Sequence, residues 1–86
     1  MKKVTMHNGQ ATVDAHDLGP MLGLEPALVP EKMRSGEITS LFEKGVDDDA
    51  GRFRLSFYYN AKRIRLTCLE DGTVLSTTTV PVRPKT

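Results

Sequence analysis

Four arginines, Arg52, Arg54, Arg63 and Arg65, with Tyr58 among them, are the side chains in this sequence best equipped for chemistry. A guanidinium is a planar fork of donors that matches a carboxylate or a phosphate and stacks on flat rings. Such a set does not break bonds. It recognises an anion, and it does so only if all four groups stand on one surface.

A pair of β-strands would put them there. In RFRLSFYY, residues 52–59, the types alternate: Phe53, Leu55, Phe57 and Tyr59 on one side, Arg52, Arg54, Ser56 and Tyr58 on the other. RIRLTCL, residues 63–69, alternates likewise, with Ile64, Leu66 and Cys68 opposite Arg63, Arg65, Thr67 and Leu69. Period two rich in aromatic and β-branched residues marks half-buried strands. Asn60-Ala61 joins them, and asparagine tolerates the positive φ of a tight hairpin. The register follows: Phe57 opposite Ile64, Leu55 opposite Leu66, Phe53 opposite Cys68, and on the other face Tyr58 opposite Arg63 and Ser56 opposite Arg65. A slip by one residue would bury arginines, so the apolar pattern forbids it. Asp71-Gly72 then turns the chain into a further strand over residues 73–80. Like charges on adjacent strands repel, so this face calls for anions: a ligand, a partner or the chain's own Glu43. A plain solvated face is the competing account, since antiparallel sheets commonly keep one polar side.

Other chemistry finds less support. Asp47, Asp48 and Asp49 suggest a calcium loop. Such a loop needs glycine at position six and glutamate at position twelve, where Arg52 and Tyr58 stand. These acids read instead as counter-charges in a polar loop. His7 and His16 are the only histidines and Cys68 the only cysteine, so no metal-ligand pattern forms. Cys68 falls on the apolar side of its strand, where a thiol acts as a small hydrophobe. Ser40, Ser56 and Ser76 lack a nucleophile elbow, and no glycine-rich phosphate loop follows a strand. The sequence predicts no catalytic residues, no metal, no cofactor and no enzyme activity.

The chain has 86 residues and a formal net charge of +1. That length makes one domain with a small core, for which a homodimer is a natural complement. A near-neutral total excludes global attraction to nucleic acid, so any attraction is local. No apolar stretch has signal-peptide or membrane-span length, which predicts a cytoplasmic protein with no membrane partner.

Around the arginine-bearing strands the remaining elements fall in order. Asn8-Gly9 predicts an N-terminal hairpin, or one strand with an extension, with Val4 opposite Val13 and Met6 opposite Ala11, supplying an edge to the main sheet. Asp14 caps a helix whose stripe is Leu18, Met21 and Leu22, short or bent near Pro20 and closed by Gly23. Pro26 opens a second helix with Leu28, Val29 and Met33 on its apolar side, ended by Gly36. ITSLFEK, residues 38–44, returns to strand with Ile38 and Phe42 facing the core, Phe42 paired with Phe53, and Glu43 opposite Arg52. PVRPKT carries prolines at 81 and 84, so 81–86 reads as a flexible tail after a domain of 1–80; its PxxP spacing around Arg83 fits a terminal extension equally well. The fold class is α+β: an antiparallel β-meander with an αα-hairpin packed on one face, in the order ββ-αα-ββββ.

The LGL turn, RSGEITSLFEKG, DAGRFRLSF and the arginine-rich strand leading to DGTVL resemble a family of small bacterial proteins classed only as a domain of unknown function. The likeness runs over residues 14–75. It implies a domain boundary and a bacterial cytoplasmic origin, and brings no catalytic residues. VDAHDLGPMLGLEPALVPEKMRSGEI, residues 13–38, also resembles the helix-turn-helix of excisionase-type regulators. That likeness implies DNA binding by the helix pair 15–35 through Lys32 and Arg34. A recognition helix brings cations to phosphates, whereas here Glu25 and Glu31 lead and Pro26 and Pro30 occupy base-reading places.

The expected function is a small binding or assembly module whose arginine face takes a protein or other anionic partner. The alternatives are a DNA-binding accessory protein using the helix pair, or single-stranded nucleic acid lying on the sheet with Tyr58 as stacking platform.

Overall fold

The computed structural model describes residues 3–8, 10–45 and 50–82. Their order is ββ-αα-ββββ: β1 (Thr5–His7), β2 (Gln10–Thr12), α1 (Ala15–Leu22), a 3-10 turn (Pro26–Leu28), α2 (Val29–Arg34), β3 (Thr39–Lys44), β4 (Arg52–Tyr59), β5 (Lys62–Leu69) and β6 (Val74–Pro81). This is the α+β arrangement expected, with a four-stranded antiparallel meander β3-β4-β5-β6.

The β4–β5 register is the one the alternation demands, Phe57 with Ile64, Leu55 with Leu66, Phe53 with Cys68, Tyr58 with Arg63 and Ser56 with Arg65. The turn between them places both Asn60 and Ala61 at positive φ, 49° and 60°. Two left-handed residues match the twist of the flanking strands, which is why such turns close hairpins. Asparagine accepts this conformation; alanine holds it at a steric cost. Ala61→Gly should therefore stabilise the domain by roughly 0.5–1 kcal/mol, read as a raised urea midpoint with an unchanged slope.

Two expected pairings are corrected. Phe42 pairs with Leu55, not Phe53, and Glu43 pairs with Arg54, not Arg52. The slip is two residues, so every side chain keeps its face, and alternation alone cannot detect it. The displaced partners still meet: the Phe42 and Phe53 rings stack diagonally, 5.2 Å between centroids. The N-terminal hairpin pairs Met6 with Ala11 as expected, but forms a sheet of its own instead of an edge of the meander. It is tied to the meander at the turn after β5, where Lys3 bridges to Thr73 and the Val4 amide donates to the Gly72 carbonyl, 2.8 Å.

The helices cover one face of the sheet. Asp14 caps α1 by accepting from the His16 amide, 2.8 Å, and Gly23 at φ 74° closes it. Gly19 is buried against the turn that follows. A Cβ there would stand 2.8 Å from the Leu24 carbonyl oxygen, so glycine is what lets α1 and the 3-10 turn approach. The expected second helix divides into that turn and a six-residue α2. Leu18, Leu22, Val29 and Ile38 pack with Val4 against Phe53, Leu55, Phe57, Ile64, Leu66 and Cys68 to make the core.

Both edge strands lie largely in solvent. Phe42 faces the helix side yet is 44% exposed, because the helices centre on β5 and do not reach it. β6 runs to Pro81, and the Val82 amide donates to the Ala61 carbonyl, 2.8 Å. Asp47, Asp48, Asp49 and Arg83 lie outside the described residues.

Candidate binding face

On the side of the sheet away from the helices, β4 presents Arg52, Arg54, Ser56 and Tyr58, and β5 presents Arg63 and Arg65. All five expected binding residues therefore share one surface. They are held there by backbone alternation and by burial of the intervening Phe53, Leu55, Phe57, Ile64 and Leu66.

The arginines are not equivalent. Arg54 reaches Glu43 of β3, Nη2 to Oε2 at 3.8 Å, with both side chains substantially exposed. A pair of this kind is worth about 0–1 kcal/mol. Arg65 donates from Nε to Ser56 Oγ, 3.2 Å, and Ser56 is completely buried although it belongs to the outer face. The bond ties the Arg65 guanidinium to the neighbouring strand. Arg63 stands between Tyr58 of β4 and Val80 of β6. Its Nε is shielded from solvent with no hydrogen-bond partner among the described residues. Arg52 and Arg54 flank a shallow concavity with Gly45, Phe53 and Thr67. The face thus offers two anchored guanidinium groups, Arg54 and Arg65, and one, Arg63, with an unused shielded donor. The serine anchor was not expected. The hint available was that Ser56 is the one small residue among the arginines.

The alternative DNA-contacting residues lie elsewhere. Lys32 and Arg34 sit in the last turn of α2, on an element packed against the opposite face of the sheet. Lys32 Nζ is 3.2 Å from Glu37 Oε2, and Ser35 Oγ donates to the same oxygen, 2.9 Å. The hydrogen bond and charge of Glu37 hold the Lys32 ammonium above its ordinary range; the Ser35 hydroxyl and then Lys32 hold Glu37 below its own. Arg34 is exposed.

Cys68 is fully buried, and burial pushes its thiol pKa up, which suppresses the thiolate a nucleophile needs. Among the described residues, no three His, Cys, Asp or Glu side chains gather as a metal site. No helix among them is long and apolar enough to cross a membrane.

Fold and surface together define a small α+β domain with a four-stranded meander, helices on one side and guanidinium groups on the other. The chain belongs to a family of unknown function, DUF6522, which matches it over residues 1–86. No curated protein and no solved structure matches it.

Proposed function

We propose that this domain is a non-enzymatic binding or assembly module whose outer sheet face takes an anionic partner, in the bacterial cytoplasm. The observation that carries the reading is the charge of that face. Four guanidinium groups share it, and among the described residues one of them, Arg54, meets a carboxylate within ion-pair distance. A phosphate or carboxylate docked between Arg63 and Arg65 would accept from forks that the sheet already orients, which lowers the entropic cost of binding. The helix pair is the weaker surface: its Lys32 is engaged with Glu37, and α2 spans six residues.

Retention on immobilised heparin, a polyanionic probe, tests the reading. With a net charge of only +1, retention must come from a local cluster, and salt should displace it. The Arg63→Glu/Arg65→Glu variant should elute at clearly lower salt while keeping its circular dichroism spectrum, and Lys32→Ala/Arg34→Ala should elute as wild type. Equal elution of wild type and the charge-reversed variant would dismiss the arginine face. Selective loss in the Lys32/Arg34 variant would move the activity to the helix pair. Tyr58→Ala, assayed with a single-stranded oligonucleotide, separates base stacking from simple anion capture.

A further inference from the structure

We infer that β3 is an assembly edge that pairs antiparallel with β3 of a second copy of this chain. This goes beyond the arginine face and does not depend on it. The two edges of the meander differ in how they are protected. β6 carries a register shift opposite Thr67/Cys68 and ends on Pro81, which has no N–H. Bulges and prolines are the devices by which sheets discourage pairing with other chains. β3 has neither: its register with β4 is continuous over all six residues, and it contains no proline. Among the described residues nothing hydrogen-bonds to its free side.

The hydrogen-bond phase shows which groups that side offers. The Gly45 amide donates to the Arg52 carbonyl, 2.9 Å. Counting back by twos, Glu43, Leu41 and Thr39 also turn their backbone groups toward β4, which leaves those of Ser40, Phe42 and Lys44 pointing outward. The same strand holds two large apolar side chains in water, Leu41 at 46% and Phe42 at 44% exposure, one on each face of the sheet.

A second β3 satisfies all of this in one register. With the two-fold axis through Leu41, perpendicular to the sheet, Ser40 and Phe42 exchange backbone hydrogen bonds with Phe42 and Ser40 of the other copy. Leu41 then faces its own counterpart at a non-hydrogen-bonded position, where strands bring side chains closest. Each phenylalanine meets a small serine, so bulk meets space twice. Glu43 falls opposite Thr39 and Lys44 opposite Ile38, so no like charges oppose each other. Shifting the axis to Phe42 would set Phe42 against its own counterpart at a wider, hydrogen-bonded position and Leu41 against Glu43, so the close Leu41 contact would be lost and two phenylalanines would crowd where serine now leaves space. The product is a continuous eight-stranded sheet.

Sedimentation of the full chain over a concentration series tests the pairing. Wild type should show a reversible monomer–dimer equilibrium. Leu41→Lys, a change at an exposed position, should weaken association at least ten-fold and leave the thermal midpoint of the monomer unchanged. Leu75→Lys, equally exposed on the β6 edge, should dimerise as wild type. A Leu41→Cys variant should form an interchain disulfide on mild oxidation, because the two-fold axis places the new thiols face to face; Cys68, buried, does not compete. A wild-type chain that stays monomeric up to its solubility limit, a dimer indifferent to Leu41→Lys, or a Leu41→Cys variant that fails to cross-link would overturn the proposal.

Discussion

Replacing Gly72 by alanine should destabilise the domain by about 3 kcal/mol or more, a large share of the roughly 5–15 kcal/mol that holds a domain folded. Two penalties add. Gly72 sits at φ 96°, where an L side chain is strained. A Cβ would also collide with the Val4 carbonyl oxygen and press on the Met6 side chain. The backbone can give way only by moving the segment whose Val4 amide donates to the Gly72 carbonyl, and Val4 is 2% exposed. Chemical denaturation should show a large fall in the urea midpoint. A fall within about 0.5 kcal/mol of wild type, the ordinary effect of a surface substitution, would mean that the contact does not hold in solution.

The second large effect contrasts two leucines. Leu66 lies in a central strand with no exposure, and Leu41 lies in an edge strand at 46%. Leu66→Ala should cost about 3–4 kcal/mol, the transfer term plus the cavity left behind β5. Leu41→Ala should change the monomer's stability by no more than about 0.5 kcal/mol. The chemistry removed is identical, so the difference measures burial alone. Comparable costs for the two would contradict the placement of the core under the helices.

These leucines also mark how far the sequence could be read. Leu66 was legible because β4 and β5 alternate without a fault and their short turn leaves one register that keeps arginines out of the core. That logic located Arg52, Arg54, Arg63 and Arg65 on one surface with Tyr58. It failed for Phe42 and Glu43, whose partners lie two residues from the expected ones, since a shift of two is invisible to alternation and the β3–β4 connection is too long to set the count. It failed again for the N-terminal hairpin. Asn8-Gly9 announces a turn, but nothing local announces that Val4 docks on Gly72 or that the hairpin stays out of the main sheet. Phe42 reads as a core residue by type; only the positions of the helices, a tertiary fact, show that they stop short of it. The burial of Ser56 and its bond to Arg65 are hidden for the same reason, because a serine among arginines looks solvated until its neighbours are placed.

The bond between Val4 and Gly72 has a further consequence, in the order of events at the ribosome. Val4 is made before the turn that receives it, which follows after roughly seventy residues. At about 5–20 residues per second, the N-terminal segment waits several seconds for its dock. Through that interval the Val4 side chain stays uncovered, and α1 and α2 have no completed sheet on which to settle. The Val4–Gly72 contact therefore cannot close before Asp71-Gly72 has been made, however fast any single helix or hairpin forms.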